Sequence, residues 1–367
     1  MKIVRDLLDR VEPLFQDGGM FRLFKPVYDA GAAILLSPLD RTDASPHVRD
    51  PLDVKRYMTL VIVALVPALA ASVYFFGLRV LAMVIVSYVA GGAIEVLFAI
   101  VRKEEVNEGF LVTGLLFPLV LPPATPLWMV AVGVAFGVLV GKELFGGTGR
   151  NLFNPALVGR VFLALAYPKT LADSWLYARP GTFKDVLPLD IDAISAATQS
   201  AVDVLTSATP LVAAKNGVII PLWNLFFGTV SGSAGETSAL AILLGGLFLV
   251  FVGVASWRTV AGTLGAFAVM TFALHGGSFH MTLWHLLAGG ILLGAFFMAT
   301  DPVSSPMTKA GRWVYGLIIG VSAALIRNLT GYVEGVMFAI LLGNIFAPVL
   351  DEVFVTAQVR KLRGYKT

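Results

Sequence analysis

Long apolar runs, repeated along most of the chain and parted by short polar links, leave this sequence few folds to adopt. They fall at 57–77, 79–101, 109–121, 126–145 and 153–167, and, after a long polar stretch, at 237–255, 258–275, 281–299, 313–330 and 333–355. Several reach the roughly 20 residues that carry an α-helix across a bilayer. Lipid offers the backbone no hydrogen-bond partner, so such runs must bond internally, as helices. The pattern predicts an all-α integral membrane protein with about ten transmembrane helices. Composition agrees: 57% of the 367 residues are hydrophobic and 14% charged, where soluble domains carry about 25% charge.

Two runs are short. The run at 109–121 ends in Pro122–Pro123, and the run at 153–167 opens with Asn154–Pro155. Broken segments at membrane depth survive only beside protein or a cavity, and they often mark transport sites. An echo links the halves: Asn151-Leu-Phe-Asn-Pro-Ala-Leu157 resembles Asn344-Ile-Phe-Ala-Pro-Val-Leu350. Five runs per half is an odd number, which predicts two inverted five-helix repeats with a site between them.

Lys and Arg placement sets the orientation. Nine precede residue 57, and Arg102, Lys103, Lys142, Arg150, Arg258, Lys309 and Arg312 fall on the same side, leaving Arg79 opposite. Both termini are therefore expected in the cytoplasm. The expected organisation is a cytoplasmic segment 1–56, a first repeat 57–167, an outer (in a bacterium, periplasmic) stretch 168–236, a second repeat 237–356 and a cytoplasmic tail 357–367. No apolar core follows Met1–Arg5, so no cleaved leader is read. Val4, Leu7, Leu8 and Val11 instead predict a short amphipathic helix on the membrane or on a partner.

The chain has no cysteine, which excludes disulfides and thiolate-held iron–sulfur clusters within it. An electron carrier here is organic, or a haem held by histidine. His275, His280 and His285 invite the haem reading, but steps of five do not share a helical face. Interfacial histidines account for them. The net charge of +3, with no basic aromatic patch, argues against nucleic acid.

Several polar residues stand out. Glu95 lies inside the second run, where an ionisable group costs about 2.5–3.5 kcal/mol on insertion scales and is a functional candidate by default. A neighbouring helix could equally satisfy it. Gly91 and Gly92 share its face and leave room for a close backbone or a flat ligand. Asp301 precedes Pro302, a setting that suits a hard cation or a structural clamp. Asp29, Glu143, Glu334 and Asp351 are further membrane-edge carboxylates. Asn151 and Asn154 offer amides at a broken run. Arg327 could pair an anion or snorkel to the surface. Thr209 lies on a loop of small residues, open to a modifying enzyme.

The segment Asp203-Val-Leu-Thr206-Ser207-Ala-Thr209 resembles the flavinylation motif Asp-x-x-Ser/Thr-Gly-Ala-Thr of the NqrB/RnfD family, with Ser207 in place of the usual glycine. The likeness extends through His47-Val-Arg-Asp50, Phe145-Gly-Gly-Thr-Gly149, Asn151–Leu157, Gly232-Ser-Ala-Gly-Glu-Thr-Ser238 and Phe297-Met-Ala-Thr-Asp-Pro302. The His-Val-Arg-Asp segment is similar to the NqrB branch. The resemblance implies a membrane subunit of a sodium-pumping NADH:quinone oxidoreductase in a bacterial inner membrane. It implies covalent FMN on Thr209 beside Asp203, Thr206 and Ser207, placed by a flavin transferase, and riboflavin near Asn151 and Asn154. It also implies quinone near Gly91 and Gly92, and a Na⁺ path through Glu95, Asp29, Asp301 and Asp351. No strand-linked nucleotide-binding glycine loop is present, so NADH is expected on a partner subunit. The alternatives are an RnfD-type subunit linking ferredoxin and NAD⁺, and a passive channel with two inverted five-helix halves like urea channels. The second gives no reason for the Thr209 motif.

Overall fold

The computed structural model describes residues 54–103, 109–176, 178, 209–330 and 335–364. The amphipathic segment Val4–Val11, together with Asp29, Asp203, Thr206, Ser207 and Glu334, lies outside them. Among the described residues the structure is helical, without a strand.

The first half contains α1 (Val54–Phe76), α2 (Arg79–Arg102), α3 (Gly109–Leu119), α4 (Leu127–Gly141) and α5 (Pro155–Ala166). Short helices α6 (Pro168–Ala172), α7 (Pro210–Lys215) and α8 (Leu222–Phe227) follow. The second half contains α9 (Ala239–Val252), α10 (Trp257–Leu274), α11 (Phe279–Leu287), α12 (Ile291–Leu293, continued by a wide turn over Gly294–Met298), α13 (Lys309–Leu329) and α14 (Val336–Gly364). Six helices are long and apolar enough to cross a membrane, and a seventh crossing is possible if α11 and α12, bent by 70°, count as one. The apolar helices α3, α5 and α9 are shorter. The last helix runs unbroken to Gly364, so the boundary expected at 356 falls inside it.

Side-chain caps start many of these helices where the sequence supplies them. Ser238, Ser256, Ser278 and Thr308 each accept a backbone N–H in the first turn, as short polar residues do at helix starts. Asn154 does so for α5, bonding the N–H groups of Ala156 and Leu157, with Pro155 next in line. Neighbour relations recur between the halves. In the first, α2 packs on α4 and α4 on α5; in the second, α10 packs on α13 and α13 on α14. Small residues permit this closeness. A Cβ at Gly137 would strike the Pro155 carbonyl, and one at Gly320 the Thr263 carbonyl. The α1 and α9 helices join the halves.

Irregular backbone between the helices is held by buried arginines. Arg79 donates to the carbonyls of Pro123, Ala124 and Thr125, just where α3 gives way to α4. Arg160 donates to the Val120 carbonyl at 2.9 Å. Arg327 reaches the carbonyls of His285 (2.7 Å) and Ala288 (3.1 Å) at the bend between α11 and α12, over the Phe267 ring. It is 2% exposed and therefore does not snorkel. Each arginine replaces partners that lost helical turns no longer supply. Arg79→Leu is expected to lower stability by at least roughly 2 kcal/mol, since buried carbonyls lose their donors; detergent or thermal unfolding of the purified protein measures it.

Candidate functional site

A cavity with several polar side chains in its wall lies between the halves and holds about 700 Å³ of free space, counting its open mouth. Asn151 and Asn154 reach it from the start of α5, Lys142 from the end of α4, Thr113 from α3, Tyr57 from α1 and Asp301 from the segment after α12. Residues picked out at two distant places in the sequence thus meet in one space. Asn151 donates to the Phe153 carbonyl at 3.0 Å. The side-chain oxygen of Asn154 is engaged in capping α5. Thr148 Oγ1, also at this cavity, is buried with no hydrogen-bond partner among the described residues.

Asp301 accepts the Ser304 hydroxyl at 2.7 Å and the Val303 N–H at 3.4 Å. Burial pushes its carboxyl above the usual carboxylate range, against the pull of those bonds.

Glu95 does not stand alone. Its Oε1 accepts from Lys142 Nζ at 2.6 Å, with both side chains 3–5% exposed. The adjacent Glu143 pairs with Arg102 at 2.7 Å. Glu95 is thus tied to the cavity through the lysine that lines it. Helical periodicity exposed the carboxylate, but nothing in the sequence marked its partner 47 residues later.

The room expected beside Gly91 and Gly92 is filled. A Cβ at Gly91 would lie 2.6 Å from the Phe110 ring, and one at Gly92 would lie 3.3 Å from it. The glycines seat that aromatic side chain within this chain's own core. Asp351 sits apart from the cavity and acts as a clamp: it accepts the N–H groups of Met307 and Thr308 and the Thr308 hydroxyl at 2.7–2.9 Å. The two echoed motifs do meet. With its amide oxygen toward Asn154, Asn344 accepts that residue's backbone N–H at 3.2 Å and donates to Tyr315 Oη at 2.7 Å.

A second cavity, of about 370 Å³ with its opening, contains Thr209. The threonine is 7% exposed, and its Oγ1 has no partner among the described residues. Ser231, Gly232, Glu236 and Thr237 share this space. A third and smaller cavity is bordered by Glu236, Arg160, Leu157 and Val120. Along α5 the order is Asn154 at the first cavity, then Leu157 and Arg160 at the third; Glu236 then borders both the third and the second. The segment Gly232–Ser238, singled out only as part of a resemblance, therefore supplies the wall facing Thr209.

The histidines form a pair after all, though not the one spacing suggests. His275 and His285 approach to 3.2 Å between their Nε2 atoms, while His280 is exposed. Ten residues and a helical turn-back separate them, which defeats a single-helix face argument. Among the described residues no group of three or more metal-binding side chains occurs.

This arrangement is that of a multi-helix membrane protein with separated polar cavities set around broken helices. The chain belongs to the NQR2, RnfD, RnfE family, which matches residues 41–360. It is similar to a subunit of the Na(+)-translocating NADH-quinone reductase of Klebsiella pneumoniae (strain 342), at 38% identity across 98% of this chain and 100% of that relative. The like-named subunits of Azotobacter vinelandii (37%) and Neisseria meningitidis serogroup B (38%) match over 98% of both chains.

The clamp reading of Asp351 is directly testable. Asp351→Ala is expected to lose about 1–2 kcal/mol of stability, the size of a helix-cap deletion, and Asp351→Asn, which keeps one acceptor oxygen, to lose less. Unfolding midpoints of the two variants, compared side by side, measure the difference.

Proposed function

We propose that this chain is the membrane subunit of a bacterial Na⁺-translocating NADH:quinone oxidoreductase that relays electrons between flavins while cations cross the bundle. The observation that carries the reading is the shared polar cavity, where Asn151 and Asn154 of one half face Asp301 of the other. Amide, hydroxyl and ammonium groups converging on an otherwise apolar space suit a bound organic cofactor. Its polar lining, with the partnerless Thr148 hydroxyl, suits riboflavin. FMN would attach through Thr209 Oγ1, a buried hydroxyl that lacks a partner among the described residues and borders its own cavity. Bound flavins would supply the one- and two-electron chemistry; the protein's part is to seat them, exclude water and fix the charges around them.

NADH would be oxidised on another subunit of the complex, and a flavin transferase would load Thr209. Quinone near Gly91 and Gly92 would have to bind against the outer flank of the helix, or displace the Phe110 ring. Glu95, Asp301 and Asp29 are the acids for a Na⁺ path. Asp351 joins them with the added burden of its capping role.

Ten crossings in two inverted halves follow if α3, α5, α9 and the bent pair α11–α12 each count as one. The recurring neighbour relations of α2, α4 and α5 with α10, α13 and α14 support that symmetry. Charge placement supports cytoplasmic termini in an inner membrane, with Thr209 on the outer side. The near-full-length likeness to NADH-quinone reductase subunits favours this assignment over an RnfD-type subunit. The motif at Thr209 favours it over a passive channel.

Intact mass of the chain, produced with a flavin transferase, tests the covalent site. An adduct of FMN mass is expected on the wild-type chain and absent from Thr209→Val; an adduct that survives the substitution defeats the assignment. For the second flavin, Asn151→Leu is expected to weaken non-covalent binding about tenfold, the worth of one lost buried hydrogen bond at roughly 1.4 kcal/mol. Flavin released by acid per mole of complex, over a dilution series, gives the reading.

A further inference from the structure

We propose that Lys142 is a shared counter-charge: it neutralises Glu95 in the resting protein and moves toward the cavity occupant when that occupant gains an electron, freeing Glu95 for a Na⁺ ion. The inference rests on the reading of the Asn151–Asn154 cavity as a flavin site and adds to it a physical link to cation uptake.

The geometry points there from several sides. Lys142 Nζ meets Glu95 Oε1 at 2.6 Å, yet the same side chain lines the cavity that holds Asn151, Asn154 and Asp301. The ammonium therefore has two neighbours to choose between. It sits on a flexible four-carbon stem with three donors, so it can change partner without backbone movement. The other Glu95 oxygen, Oε2, is buried and has no hydrogen-bond partner among the described residues. A structural ion pair gains from having its remaining lone pairs satisfied; this one keeps an open coordination position. Glu143 stands close by, already paired with Arg102, and adds negative potential at Glu95 without supplying a donor.

The charge balance closes. One electron enters the cavity from a reduced flavin upstream, itself supplied by NADH on a partner, and adds one negative charge. Lys142 exchanges its hydrogen bond to Glu95 Oε1 for one to the polar edge of the occupant. No covalent bond breaks and no proton changes owner. Glu95, now a buried carboxylate without its lysine and with Oε2 already open, offers hard oxygen ligands for one Na⁺, which restores neutrality. Reoxidation reverses the exchange: the lysine returns to Glu95 and displaces the cation. Lys142 is thus a positioning residue for charge, acting through Glu95 on the ion and through the cavity on the electron.

The test is a spectroelectrochemical titration of the non-covalent flavin in the assembled complex, with and without Na⁺. In the wild type the midpoint potential is expected to rise with Na⁺, because the cation follows the electron. Lys142→Gln is expected to lower it by at least 59 mV, a tenfold change for one electron; Lys142→Arg, which keeps the charge, is expected to lower it less. Glu95→Gln is expected to raise the potential in the absence of Na⁺, since the lysine is released, and to abolish the Na⁺ dependence. Flavin bound at the wild-type potential in Lys142→Gln overturns the proposal. So does Glu95→Gln with an undiminished Na⁺ response, and that variant decides the matter should Lys142→Gln fail to assemble. A wild-type complex with no non-covalent flavin sinks the cavity reading itself, and the proposal with it, which a flavin-loaded complex with unaltered potentials does not.

Discussion

Every polar group of the backbone must find a partner before a chain can be lodged in lipid, and this fold spends its buried side chains on meeting that demand. Straight helices satisfy it alone. Broken ones do not, and the breaks here are where the cavities lie. Arg79 closes the gap after α3, Arg160 takes the Val120 carbonyl, and Arg327 spans the bend between α11 and α12. Asn154 and Asp351 answer the opposite need, accepting the free N–H groups where α5 and α13 begin. Cavities at membrane depth are possible because these five side chains make irregular backbone tolerable.

What could be read in advance divides along the same line. Apolar runs announce helices because burial in lipid selects for them residue by residue, and all ten runs contain helix. Partners were not legible. Glu95 was visible as a misplaced charge, but Lys142 looked like an ordinary basic residue at a helix end. For Arg327 the sequence offers an anion partner or snorkelling and misses its true acceptors, because main-chain carbonyls carry no sequence signal. Gly91 and Gly92 suggest room for a close backbone or a flat ligand; the packed structure puts the Phe110 ring of this chain there. Tertiary pairing across 40 or more residues leaves no periodic trace.

The echo between Asn151–Leu157 and Asn344–Leu350 shows how two similar segments can end in unlike surroundings. Both copies keep the first asparagine and the proline, and the two come into contact through Asn344 and the Asn154 backbone. Only the first copy keeps the second asparagine; Ala347 stands in its place in the other. One motif therefore opens onto the polar cavity, while its counterpart packs as support beside Tyr315.

The brevity of α5 carries an electrical consequence. Twelve residues make a rod about 18 Å long, well short of a hydrocarbon layer about 30 Å thick, and a solvent-reachable hollow adjoins its start. Where water-filled recesses indent a membrane, the voltage falls mainly across whatever dielectric is left between them. Along α5 that remainder would include Leu157, Arg160 and Val120, the residues around the small third cavity. A charge crossing a field focused in this way exchanges about 2.3 kcal/mol with each 100 mV of membrane voltage.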